Sequence, residues 1–161
     1  VEDLNNMDGA TVTSGTVRVT NRTVQGRVAL AALSANQSVP NATETTANFA
    51  AFSANTLGAT LSGGTIVIPA GVRRVRVTAG VYWAASATGA RIINVTRNAA
   101  GAAGLPMLKS TGGGLLGQNI SSAVIDVYAG DSIGLVLYQD SGATLNALQS
   151  GRTFLAVEAI G

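Results

Sequence analysis

Three carboxylates follow one another in the last third of the sequence: Asp126, Asp131 and Asp140. Sugar hydrolysis needs only two carboxyl groups at a suitable separation, so Asp126 and Asp140 form a conceivable acid/base pair. Asp131, however, falls in "AGD" and Asp140 in "QDSG", turn sequences in which a carboxylate caps backbone N–H groups. Capping accounts for both without chemistry, and no catalytic residue is assigned. Calcium is the stronger rival, because turn carboxylates and carbonyl oxygens are the hard ligands it takes. The spaced ligand series of a dedicated calcium loop is missing, so calcium stays an option and no metal or cofactor residue is named.

Cations offer a second chemistry. Arg73, Arg74, Arg76, Arg91 and Arg97 all fall in the stretch 72–98, where they could neutralise phosphates. The strand supplies no stacking platform of interleaved aromatics, and there is no basic tail. The net charge is only +2, from 10 basic and 8 acidic residues, so the isoelectric point of about 9.5 reflects few charges rather than a strong field. A solvated outer face, or pairing between chains with Asp126, Asp140 or Glu158, fits these arginines better than nucleic acid. Histidine and cysteine are absent. Their absence excludes Ser-His-Asp and Cys-His nucleophilic sites, zinc bound by nitrogen or sulfur, and any disulfide.

Other features carry less. Asn21, Asn36, Asn41, Asn94 and Asn119 each open an Asn-x-Ser/Thr triplet, a pattern that arises by chance in a chain rich in these residues. Gly112, Gly113 and Gly114 lack the following Lys-Ser/Thr of a phosphate cradle. They suggest an exposed loop instead, in which Leu115, Leu116 and, from a neighbouring loop, Arg91 are candidate contact residues.

The elements that must position these residues are strands. Odd positions of "RRVRVTAGVYW" are Val75, Val77, Ala79, Val81 and Trp83, and the even ones include Arg74, Arg76 and Tyr82, which is the alternation of a strand with one apolar face. Similar runs occur at 89–97, 121–130, 131–140 and 152–160. Turns are expected at 86–90, 129–131 and 139–143, and Pro69 should end a ladder. The segment 99–118 reads as a Gly-rich insertion too loose for a strand, and the only hint of helix is a turn near 29–35. About eight to ten short antiparallel strands imply an all-β sandwich or jelly roll over residues 27–161. Residues 1–26, polar and rich in Thr, Asn and Gly, bury little by themselves and read as an extended N-terminal arm that docks on a partner or a neighbouring subunit. No apolar run approaches the length of a membrane span, and "VEDLNNMDG" lacks the charged-then-apolar pattern of an export signal.

The order of these segments resembles the C1q-type branch of the C1q/tumour-necrosis-factor jelly-roll superfamily, particularly its bacterial and phage-encoded members. The residues that carry the likeness are "ANQSVPNATETTANF" (35–49) as the polar entry strand, and "GGTIVIPAGVRRVRVTAGVYWAASATGAR" (63–91) as the central strands with their "PAG" turn. They continue in "YAGDSIGLVLYQDSGATLN" (128–146) and the closing "TFLAVEAI" (153–160). Arg73 stands where an aromatic is frequent, the Gly-rich insertion is longer than usual, and no collagen-like repeat precedes the domain. The resemblance implies a compact homotrimer without catalytic activity, with Tyr82, Tyr128 and Tyr138 as plausible aromatic anchors of the trimer. The resulting expectation is a virion surface protein, assembled in the host cytoplasm: a phage head-decoration, spike or fibre subunit whose arm holds other virion proteins and whose loops face host surface glycans. The alternative is a soluble carbohydrate-binding adhesin or lectin-like module. Neither nucleic acid nor membrane insertion is expected.

Overall fold

The computed structural model describes residues 26–101 and 104–161, together with the backbone of two short strands, β1 (Ala10–Thr13) and β2 (Thr16–Val19). These two pair with each other antiparallel as a separate hairpin. The rest of the expected arm, residues 1–26, lies outside the described residues except for Gly26.

The remaining strands form two antiparallel sheets around one core, with no helix among the described residues. The six-stranded sheet runs β11 (Met107–Gly113), β10 (Ser86–Arg97), β14 (Ser132–Gln139), β8 (Thr65–Val67) and β7 (Thr60–Ser62), with β5 (Thr45–Thr46) also bonded to β14. The eight-stranded sheet runs β4 (Gln37–Val39), β15 (Leu145–Ala147), β9 (Arg74–Trp83), β16 (Phe154–Ala159), β3 (Val28–Ala32) and β6 (Ala51–Asn55). In that sheet β12 (Leu116–Ser121) and β13 (Ile125–Asp126) also bond to β9.

The alternation in β9 does what its sequence demands. Val75, Val77, Ala79, Val81 and Trp83 are buried, while Arg74 and Arg76 are exposed on the opposite face. Ile93 and Val95 of β10, and Ile133, Leu135 and Leu137 of β14, complete the other half of the core. Each large side chain among them contributes roughly 1.5–3 kcal/mol when removed from water. Pro69 ends the β8 run as expected. The ladder's last bonds run from the Ile68 N–H to the Asp131 carbonyl (2.8 Å) and from the Gly130 N–H to the Ile68 carbonyl (2.9 Å), and Pro69 has no N–H with which to continue.

Three local expectations fail. Residues 28–32 form a strand and no helical turn, because Ala29 and Ala31 alternate into the core. The segment 86–90 is not a hairpin reversal: it belongs to β10, whose pairing with β11 shifts register between Ser86 and Ala90, and the chain passes at Ala84–Ala85 from one sheet to the other. The insertion 99–118 is not loose either, since 107–113 pair with β10 and 116–121 with β9. Gly112 is there because two backbones approach: a Cβ at that position would lie 2.6 Å from the Ala87 carbonyl oxygen.

Candidate functional site

Asp131 and Asp140 occupy opposite ends of the sandwich. The Asp131 carboxylate accepts hydrogen bonds from the Tyr128 backbone N–H (2.9 Å) and the Asn98 side-chain amide (2.8 Å), and Arg97 lies 3.8 Å away. The Asn98 bond above all, then the Tyr128 bond and the Arg97 charge, hold the Asp131 carboxyl below its usual pKa against the opposing effect of partial burial. Arg97 also donates to the Asp126 backbone carbonyl (2.8 Å), placing Asp126 at this same end. Asp140 caps the Ala90 N–H at the other end. From Ala90 to Arg97 the strand spans roughly 20 Å. Paired glycosidase carboxyls stand within about 10 Å of each other, so Asp126 and Asp140 cannot act as one acid/base pair. Among the described residues no group of three or more Asp, Glu, His or Cys side chains is placed to hold a metal ion.

Arg91 is a correction. Expected on an exposed loop, it is fully buried, because it lies in phase with Ile93 and Val95 on the inward face of β10. Its Nη2 donates to the Ser86 carbonyl (2.7 Å), while Nε and Nη1 have no partner among the described residues. Around it lies a buried polar layer. The Trp83 Nε1–H donates to Gln118 Oε1 (2.6 Å), and Gln118 Nε2 donates to the Arg91 carbonyl and to Ser110 Oγ, both at 3.1 Å. Gln139 Nε2 donates to the carbonyls of Val39 (3.0 Å) and Ala143 (2.8 Å), and its Oε1 accepts from the Ser141 N–H and hydroxyl. The layer binds the chain segments at that end of the sandwich to one another.

The arrangement most suggestive of function lies on the outside of the eight-stranded sheet. Register places Phe154 of β16 between Gly80 of β9 and Ala32 of β3, and Ala156 between Thr78 and Leu30. The outward side chains of β3 are therefore Val28, Leu30 and Ala32, and those of β16 begin with Phe154 and Ala156, all half-buried. Gly80 is required here: a Cβ on it would lie 2.6 Å from both the Phe154 ring and the Asn119 side-chain oxygen. Tyr82 continues the patch, with the Arg152 guanidinium 5.1 Å from its ring centre. A strand with apolar residues on both faces reads as one covered on both faces. The signal was present in "VALAA", which lacks any polar alternation, and sequence reasoning passed over it.

The remaining candidates are dispersed. Tyr138 faces outward from the six-stranded sheet, beside a shallow hollow of about 170 Å³ that it shares with Glu44, Ile92, Asn94, Met107 and Val136. Tyr128 is 63% exposed in the turn before Asp131. The three tyrosines thus lie on three different surfaces. Leu115, 60% exposed, sits where the chain passes from β11 to β12, whereas Leu116 packs against the core.

No family model and no curated protein matches the sequence at a significant level. Solved structures do match in fold. Eiger TNF from S. frugiperda superposes with a TM-score of 0.57 at 14% identity, over 84% of this chain and 93% of that one. Murine APRIL at pH 5.0 gives 0.61 at 15% identity, over 84% of this chain and 100% of that one. The fold is a tumour-necrosis-factor-type jelly roll. At these identities the likeness concerns the fold alone.

Proposed function

We propose that this jelly roll is a non-catalytic, homotrimeric surface knob, a head-decoration, spike or fibre subunit of a bacteriophage virion, attached to the particle by its arm of residues 1–26. The observation that carries the trimer is the apolar outward face of β3 and β16, centred on Leu30 and Phe154 and continuous with Tyr82. A second and third copy of the chain are its natural cover, since a closed ring buries such a patch on every subunit. The absence of histidine and cysteine, the separation of Asp126 from Asp140 and the C1q/tumour-necrosis-factor likeness favour a structural or recognition role over catalysis. The virion location is inferred from the likeness to phage-encoded C1q-type sequences and from the polar arm.

Light scattering on the full chain tests this. Three times the monomer mass is expected, with the same stoichiometry after removal of residues 1–26, because the described core lies wholly beyond them. Leu30→Asp with Phe154→Asp should give a folded monomer, since both side chains point away from the core. A monomeric wild type, or a double variant that stays trimeric, overturns the assignment.

A second reading, a carbohydrate-binding adhesin, has its own observation. Tyr138 presents a ring beside Asn94 and Glu44 in the hollow on the six-stranded sheet, an apolar surface with flanking polar groups of the kind that receives a sugar ring. Glycan binding lost in Tyr138→Ala, with the mass unchanged, would favour it.

A further inference from the structure

Three arginines converge where β3 and β9 begin and β16 ends. Arg27, Arg73 and Arg74 line one hollow of about 120 Å³, together with Gly26, Gly71, Val72, Ala159 and Gly161. No Asp or Glu side chain is among its lining residues. The single ion pair among the described residues is that of Arg97 with Asp131, so none of these three guanidinium groups is ion-paired with a described side chain, although Asp126 stands opposite Arg74 in register. Glu158 comes close to Gly26 at the rim, but in register it stands opposite Arg76, and it forms no ion pair with the three.

The hollow is held from several directions. Arg27 Nη2 donates to the Leu57 carbonyl (3.0 Å), which fixes that side chain. The backbone of Arg73 and Arg74 is anchored through their carbonyls, which accept from the N–H groups of Val127 (2.8 Å) and Ile160 (2.9 Å). Gly71 leaves its part of the wall without a side chain, with nothing within 4 Å of where a Cβ would stand, so a ligand can come close to the main chain there. The hollow is large enough to receive one compact oxyanion. The hollow's lining has no aromatic ring, and therefore no platform for a nucleobase. Guanidinium forks are the side chains best matched to tetrahedral oxyanions, because they give paired, charge-assisted hydrogen bonds.

We propose that Arg27, Arg73 and Arg74 form a binding site for a sulfate or phosphate group, taken either as the free ion or as an ester on a saccharide. The site does not depend on the assembly proposed above, although Arg74 begins β9 of the same sheet.

The test uses the full chain in chloride buffer of constant ionic strength, titrated with inorganic sulfate, inorganic phosphate, glucose 6-sulfate or glucose 6-phosphate. Affinity is read by calorimetry and mass by light scattering in the same samples. A saturable site is expected for the wild type, weakened about tenfold or more in Arg73→Gln with Arg74→Gln, and retained in greater part by the paired lysine replacements. Lys109→Gln, on the other sheet, serves as control and should bind as the wild type does. Tighter binding of the esters would assign the ligand to a saccharide, and equal binding would assign the free ion. An oxyanion effect no greater than that of chloride, or one equal in the wild type and the glutamine variant at unchanged mass, overturns the proposal.

Discussion

Arg91 and Arg97 sit six residues apart on the same face of the same strand, β10, yet the two ends of the sandwich treat them in opposite ways. Arg97 stays at the surface, where the Asp131 carboxylate and the Asp126 carbonyl answer its charge. Arg91 is fully buried, and among the described residues its guanidinium makes a single hydrogen bond, to the Ser86 carbonyl. Removing an unanswered guanidinium from water costs several kcal/mol, and arginine cannot escape the cost by losing its proton. One end of the molecule is thus organised by a charge pair that adds little stability, the other by a neutral polar network that has to accommodate a charge. Strand period alone puts both arginines on the inward face; only the depth of the site distinguishes them.

The sharpest way to break this contrast is at Gln118. Gln118→Leu keeps the volume nearly constant but leaves the Trp83 indole N–H and the Arg91 carbonyl without their partner. A loss of about 3 kcal/mol is expected, a fall of roughly 10 °C in melting temperature by calorimetry. A smaller effect of opposite sign is expected from Arg91→Met. Replacing a buried charge that holds one hydrogen bond with an apolar chain of similar length should leave the stability unchanged or raise it by about 1–2 kcal/mol. A loss as large as that of Gln118→Leu would show that the guanidinium is well satisfied and the contrast false.

The smallest effect belongs to the exposed end. The Asp131 carboxyl titrates below its ordinary value in the folded protein, so its stabilisation is complete above about pH 4 and is lost as the pH falls through the folded value. Asp131→Asn should therefore lower stability at pH 6 by less than about 1 kcal/mol, because the pair is accessible and screened. The gap between variant and wild type should close below pH 4 in acid unfolding curves. A gap that persists in acid would assign the loss to the Tyr128 turn rather than to charge.

What could be read beforehand followed the same division. Alternation placed Val75 to Trp83 correctly, and turn chemistry placed Asp131 and Asp140 as caps, since both depend on local sequence. Arg91 was misplaced because its residue type outweighed its phase with Ile93 and Val95. Residues 107–113 were misplaced because Gly112 and Gly113 look like looseness, when Gly112 answers to a neighbour far away in sequence, Ala87. The outward apolar face was legible in "VALAA" once that segment is recognised as a strand rather than a helical turn. The arginine hollow could not be read at all, because it joins residues 27, 73 and 74 with the glycine at 161.

The place of β16 has a consequence for synthesis in the cell. It lies between β9 and β3, bonded to both, although β3 is made at residue 28 and β9 is complete by residue 83. Until residues 154–159 have left the ribosome, those two strands have no common partner and present open edges to every other nascent chain nearby. Folding must therefore wait for nearly all of the described chain, with the long loop closures and slow rates that such an order entails. A ribosome stalled short of residue 154 would release a product prone to aggregate.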